Sequence, residues 1–263
     1  MIQRHFLAIL LLTALFYACT SSSGNNRTKN NSVQFNTIAS RIEVPKGYVR
    51  TSAKSGTFAY YLRYLKLKPV EAKVYYYNGL PKINQHIHVA VIDLDVGSRD
   101  LQQCADAIMR LRGEYLFHEK RFGDIAFNFV SDGKPRYFLE YSSGDTTYSK
   151  FRKYMDYVFS YANTRSLYEQ LKEVEIIDSM KIGDVFIQKR NPYGHAVIVV
   201  DIAVNQNTGE KIYLLAQSYM PAQSIHVLKN PNNTALTPWY EINHDSGIIT
   251  PEWTFTNQDL RRF

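Results

Sequence analysis

The sequence predicts an α+β domain. Three observations lead there: two long stretches repeat apolar residues at helical spacing, several shorter stretches read as strands, and the two kinds do not alternate regularly. No internal repeat interrupts the pattern, and about 225 residues follow the N-terminal segment, enough for one domain.

The first segment precedes that domain. Arg4 supplies a positive charge, Phe6 to Phe16 is a short Leu-rich apolar run, and Tyr17-Ala18-Cys19 sets a small residue before a cysteine. This is the layout of a secretory signal. The run of about 11 residues is too short for a permanent span, which needs roughly 20. Residues 1–18 are expected to be a lipoprotein signal peptide, with Cys19 acylated after cleavage; Phe16 departs from the usual Leu. The alternative is an ordinary signal cut near Ala18. Residues 19–37 follow as the lipidated cysteine and a tether, because Thr20 to Ser32 has no apolar residue to offset the entropy of ordering. A single domain is expected over 38–263. The protein is then exported to the cell envelope, with the membrane as a partner through its lipid anchor.

Within the domain, Pro45 and Gly47 mark a turn, Gly56 to Leu67 reads as a short helix, and Ala72 to Tyr77 as a strand ending at the Asn78-Gly79 turn. His86 to Val96 is apolar on both faces, as a central strand would be. Gly97 breaks it, and Ser98 or Asp100 can cap a helix running to His118, with Leu101, Ala105, Ile108, Leu111 and Tyr115 at helical spacing. Phe122 to Val130 reads as strand and Phe151 to Leu171 as a second helix. Val185–Lys189, His195–Ala203, Lys211–Tyr219 and Ile225–Leu228 read as strands. The aromatic tail Pro251–Phe263 is expected to dock on the domain.

The formal net charge is +7, and the basic residues are scattered. No Lys/Arg block marks a nucleic-acid surface, so no nucleic-acid partner is expected; the charge can meet anionic envelope polymers or lipid. No phosphate-loop, dinucleotide or Ser-nucleophile motif is present, and no cofactor is expected. His86 and His88 are spaced like a metal pair, but alternation puts Asp93 and Asp95 on the other face, so no metal site is expected.

The chain has two cysteines. With Cys19 lipidated, Cys104 has no disulfide partner within the chain, and such a thiol is either buried and inert or kept for its reactivity. Cys104 falls in the first turns of its helix, where the positive end of the dipole favours thiolate. It also lies at helical spacing from Leu101 and Ile108, which suits a buried stripe. His195 opens a strand after the Asn191–Gly194 loop and is the best candidate base. Asp201, six residues along the strand, is roughly 20 Å away and cannot orient it. The orienting group should come from the returning strand, where Gln217 has suitable length and Ser218 and Tyr219 are fallbacks. Gln102 and Gln103 are oxyanion candidates beside the Cys104 backbone amide.

Gly183-Asp184-Val185-Phe186-Ile187 followed by Gly194-His195-Ala196-Val197-Ile198-Val199-Val200, with Gln103-Cys104-Ala105-Asp106 opening an upstream helix, resembles the motifs of NlpC-type and CHAP-type cell-wall cysteine peptidases. That resemblance implies a papain-like core: a nucleophile helix packed on an antiparallel sheet, here with extra N-terminal strands and an inserted helix. It also implies Cys104 as nucleophile, His195 as base, Gln217 in the place where the family carries His, Asn, Asp or Glu, and a peptidoglycan or other peptide substrate. Over nearly the whole mature chain, Asp100–Arg112, Ala216–Gln223 and Asp259–Phe263 resemble a bacterial lipoprotein family known as domain of unknown function 4846. Two expectations follow. One is an envelope cysteine amidohydrolase with Cys104 and His195 at the floor of a groove. The other is a non-catalytic lipoprotein that uses the same fold for binding or assembly, with Cys104 packed in the core.

Overall fold

The computed structural model describes residues 36–244 and 247–263. The expected signal peptide, Cys19 and most of the tether lie outside the described residues. Asn36 and Thr37, placed in the tether by sequence, belong to the domain: the Asn36 amide donates to the Leu67 carbonyl at 3.2 Å, and Thr37 caps the first helix.

The described helices are α1 (Ile38–Arg41), α2 (Phe58–Arg63), α3 (Cys104–His118), α4 (Phe138–Ser142), α5 (Tyr148–Tyr161) and α6 (Thr164–Gln170). The strands are β1 (Tyr48–Arg50), β2 (His88–Val91), β3 (Ala126–Asn128), β4 (Pro135–Tyr137), β5 (Lys172–Glu173), β6 (Val185–Gln188), β7 (His195–Asn205), β8 (Lys211–Gln217), β9 (His226–Leu228), β10 (Tyr240–Glu241), β11 (Ile248–Ile249), β12 (Thr254–Phe255) and β13 (Leu260–Arg262). Nine of them form one antiparallel sheet in the order β2-β9-β8-β7-β6-β13-β5, with β1 on β7 and β10 on β8. Helices and strands are mixed and the large sheet is antiparallel, so the class is α+β.

β7 is the spine. It is buried from His195 to Ala203 and flanked by β6 and β8, with Gln188 opposite His195 and Ile198 opposite Ala216. Its two faces meet different layers, as a period of two requires. Ala196, Ile198 and Val200 pack with α3 and α5, through Ile108, Leu111 and Phe151. Val197 and Val199 pack with Phe186, Tyr213 and Phe255 on the other side. α3 and α5 approach closely at Gly113, where a Cβ would come within 3.1 Å of the Met155 sulfur.

Several boundaries differ from expectation for local reasons. α3 starts at Cys104, not near Ser98, because the Gln103 N–H is taken by the Asp106 carboxylate at 3.1 Å and the Gln103 carbonyl accepts the first helical bond from Ala107. Asp100 turns away, accepting from the Ala222 backbone at 2.7 Å. The expected helix Phe151–Leu171 is two helices. Asn163 ends the first and caps the second, accepting from Arg165 and Ser166 N–H at 2.9 and 3.2 Å. Ala72–Tyr77 contributes isolated bridges instead of a strand. The expected central strand His86–Val96 is the short β2 at one end of the sheet order. The tail docks as expected and supplies β13, where Arg262 clamps the buried Asp184 through two bonds of 2.6 and 2.7 Å. Among the described residues no helix is long and apolar enough to cross a membrane.

Candidate active site

Cys104 opens α3, so its own N–H has no intrahelical acceptor. Its side chain is 4 % exposed and lies in the wall of a cleft of about 520 Å³, lined also by Gln103, Asp106, Thr164, Arg165 and the 189–194 loop. The thiol's hydrogen-bond partner is the Thr164 hydroxyl at 3.6 Å, not His195. Burial pushes the thiol up to about 11; bonds from the Thr164 hydroxyl and from the Ala105 and Ala196 backbone pull the other way and do not offset it. The thiolate that a helix start favours is therefore not the resting form: desolvation outweighs the dipole.

His195 is set by a close backbone approach. It ends the β6–β7 hairpin opposite Gln188, and a Cβ on the preceding Gly194 would lie 2.1 Å from the Gln188 carbonyl oxygen. Only glycine lets the loop return there. The ring is almost fully buried among Tyr219, Trp253 and Phe255, with centroids 4.7, 5.3 and 6.0 Å away. Burial lowers its pKa to about 4, so the imidazole is neutral at pH 7.

Folding β8 back along β7 brings Gln217 to His195. Gln217 Oε1 lies 2.9 Å from His195 Nε2. The remaining Gln217 bonds fix which way the amide points. Its nitrogen donates to Glu252 Oε2 at 2.6 Å and faces His226 Nε2 at 3.4 Å. His226 Nδ1 lies 2.8 Å from the Ser224 carbonyl, which accepts only, so His226 Nε2 is the acceptor. Both amide hydrogens are thus claimed, and the amide oxygen faces His195. An amide oxygen only accepts, so His195 Nε2 carries the proton and Nδ1 carries the lone pair. Among the described residues Nδ1 has no hydrogen-bond partner. Behind Glu252, Lys82 Nζ closes the network at 2.7 Å and also donates to Gln223 at 2.8 Å.

The other sequence candidates separate. Gln103 lines the cleft, its amide donating to Asp100 at 3.0 Å. Gln102 is not available to an oxyanion: its side chain is buried, accepting from Arg110 at 2.9 Å and directed at the Asp95 carbonyl. Ser218 is buried against the Gln223 and Gln102 carbonyls. Tyr219 packs against the His195 ring at a tilt of 57° instead of orienting it through a hydrogen bond. Asp201 is far from the site, held by Arg50 and Arg63 at 2.6 and 2.7 Å. Sequence reading missed Glu252, His226, Lys82 and Thr164. The only local signal was the Asn163-x-x-Ser166 cap that turns Thr164 toward the thiol. Among the described residues no three His, Cys, Asp or Glu side chains converge as metal ligands.

No curated protein and no solved structure matches the chain. Residues 38–262 match the family described as domain of unknown function 4846. That match covers the helix opening at Cys104, the hairpin that seats His195, the strand bearing Gln217 and the C-terminal strand, and the chain belongs to this family.

Proposed function

We propose that the domain is a cysteine amidohydrolase of the cell envelope, with Cys104 as nucleophile, His195 as base and Gln217 as the group that holds the base in its working tautomer. The observation that carries this reading is the His195–Gln217 bond: a buried neutral imidazole whose Nε2–H is anchored and whose Nδ1 lone pair is unclaimed, beside a cleft with a thiol in its wall. A helix that opens with Cys104 and packs on an antiparallel sheet at the start of the His195 strand also supports the finer, papain-like description of the core. The expected export signal and lipid at Cys19 would place the cleft outside the cytoplasm, facing peptide or peptidoglycan material.

In this reading a substrate amide enters the cleft and the thiol leaves Thr164. Nδ1 of His195 takes the Cys104 proton as sulfur bonds to the carbonyl carbon. The carbonyl oxygen becomes an oxyanion at the Cys104 N–H, with the Gln103 amide as second donor. The imidazolium is stabilised by Gln217 Oε1, with the Glu252 carboxylate behind it, and returns its proton to the leaving amine as the carbon–nitrogen bond breaks. Water then hydrolyses the thioester by the reverse proton path.

The test is release of amine from soluble peptide amides and peptidoglycan peptides. Cleavage that falls roughly 100-fold or more in both Cys104→Ala and His195→Ala supports the reading; cleavage indifferent to either variant, or none at all, removes it. A second reading, a non-catalytic binding module, is favoured by the thiol's bond to Thr164 and its high pKa. It predicts no turnover and a thiol that reacts only after unfolding.

A further inference from the structure

A second concave surface lies where the described chain begins, and it shares no lining residue with the cleft. Asn36, the first described residue, is held there by its side-chain amide, which donates to the Leu67 and Lys68 carbonyls at 3.2 and 3.4 Å. Thr37 pairs with Lys66 as an isolated bridge. Beside this bridge runs an open groove of about 590 Å³, lined by Thr37, Ala39, Ser40, Tyr60, Tyr64 and Lys66. Tyr60 and Tyr64 stand one turn apart at the end of α2, with ring centroids 4.4 Å from each other. They take the outward side of that helix: Leu62, between them in sequence, is fully buried, whereas Tyr64 is 44 % exposed. A surface helix ordinarily turns polar residues outward, so this aromatic pair is uncovered apolar surface. The same face carries unbalanced positive charge. Lys66 is exposed and Lys68 half-buried, and among the described residues neither side chain meets a carboxylate. Arg41 donates from Nε to Asn36 and from one amino group to the Lys68 carbonyl, at 2.6 and 2.5 Å, while its other amino nitrogen has no partner. Partial burial with no acid beside it pulls the Arg41 pKa below the ordinary arginine value. Asp93, whose N–H donates to the Lys66 carbonyl, is exposed and forms no ion pair with it. Val70, two residues past Lys68, is 68 % exposed.

We propose that this α1–α2 face is a docking surface for an anionic bilayer, with Arg41, Lys66 and Lys68 toward the phosphate headgroups and Tyr60 and Tyr64 at the boundary with the acyl chains. Three arguments select a bilayer as the occupant. Its residue types are those that settle at a membrane interface, tyrosine with an apolar ring and a polar tip, and lysine with an apolar stem and a charged head. Cations without acids match a surface of anionic lipid, each worth about fivefold in binding at moderate salt. The face also lies where the chain leaves toward its expected anchor. Cys19 precedes Asn36 by 17 residues (36 − 19), and a chain of that length reaches at most about 60 Å. An acyl group at Cys19 therefore draws this face, before others, to the lipid. A lipid anchor by itself leaves the domain free to turn; a seated face fixes its orientation.

The experiment uses the chain from residue 19 with Cys19→Ser, which keeps every described residue and can carry no acyl chain. Its binding is measured by co-sedimentation with vesicles of phosphatidylcholine alone, or of phosphatidylcholine with one-third phosphatidylglycerol. The expected result is binding to the anionic vesicles at least about tenfold tighter than to the neutral ones, weakening as salt rises. Lys66→Gln with Lys68→Gln should lower it about tenfold or more, and Tyr64→Ser by a smaller factor. Lys134→Gln with Lys153→Gln removes the same charge from the β3–β4 turn and from α5, and should change binding less than about twofold. Arg41 is left in place because its bonds hold Asn36. Should the Lys66 and Lys68 pair fold poorly, Lys66→Gln alone, at an exposed side chain, should still lower binding about fivefold. No binding to either vesicle, equal binding to both, or equal losses from the two lysine pairs would overturn the proposal. So would retention on insoluble cell-wall glycan that depends on Tyr64 and comes without vesicle binding, since the groove would then be a sugar site. The measurement involves no turnover, so its outcome is independent of the amidohydrolase reading.

Discussion

The two ends of β7 bury polar side chains in opposite ways. Toward one end Asp201, fully buried, has both carboxylate oxygens bonded: Oδ2 by Arg50, Oδ1 by Arg63 and by the Ile202 N–H at 2.9 Å. Its charge is matched by two guanidinium groups. At the other end His195 is as deeply buried, but only Nε2 is satisfied. The network behind it, Gln217, Glu252, His226 and Lys82, spends its donors and acceptors on holding that one nitrogen in place. The lesson is that burial alone does not separate a structural polar group from a reactive one. The unsatisfied valence does, when the surroundings fix its direction and a cleft adjoins it.

The sharpest way to break this contrast is to cut each end. Asp201→Ala leaves two guanidinium groups with no counter-charge at a buried site and should cost about 3–5 kcal/mol in chemical denaturation. His195→Ala, which removes a neutral ring from an aromatic cage, should cost less. Equal losses would mean that both ends serve stability alike. Next in size is the acid limb. His195 has a folded pKa of about 4, below its ordinary value of about 6.5. As pH falls from 6.5 to 4 the unfolded chain takes the proton first, so stability rises with pH across that window and is lost on acidification, by about 3 kcal/mol for this group by pH 4. His226, lowered to about 3, acts in the same direction over a window reaching lower. Denaturation midpoints at pH 7 and pH 4.5 should differ clearly in wild type and differ less in His195→Gln. Gly194→Ala should cost about 2 kcal/mol, because the hairpin must open at the Gln188 carbonyl; it should also disturb His195, visible as a changed imidazole resonance. The smallest stability effect, about 1 kcal/mol, is expected for Glu252→Gln. That change lets the Gln217 amide turn, and nitrogen NMR should show His195 leaving a pure Nε2–H tautomer. An unchanged tautomer would separate Glu252 from the base.

How much of this could be read in advance depended on the range of the interaction. His195 and Gln217 were legible because two adjacent strands joined by a short turn restrict which residues meet; only the register was open. Cys104 near a helix start was legible because Ser98 and Asp100 look like caps, but those placed the start too early; Gln103 and Asp106 cap it instead. The state of the thiol was not legible: the helix dipole is visible in sequence, but the burial that outweighs it comes from distant packing. Glu252 and Lys82 reach Gln217 and Gln223 across 35 and 141 residues, and no periodicity encodes such contacts. Arg165 reached the cleft only because Asn163 splits the long helix.

The most direct test of the His195–Cys104 relation is the alkylation rate of Cys104 by iodoacetamide from pH 4 to 10, in wild type and His195→Ala, followed by intact mass. A base poised at Nδ1 predicts that wild type reacts at neutral pH at least about tenfold faster than His195→Ala, with the advantage fading as pH falls toward 4. Superimposable profiles, or a thiol that reacts only in denaturant, would contradict the account and leave the cleft as a binding site alone.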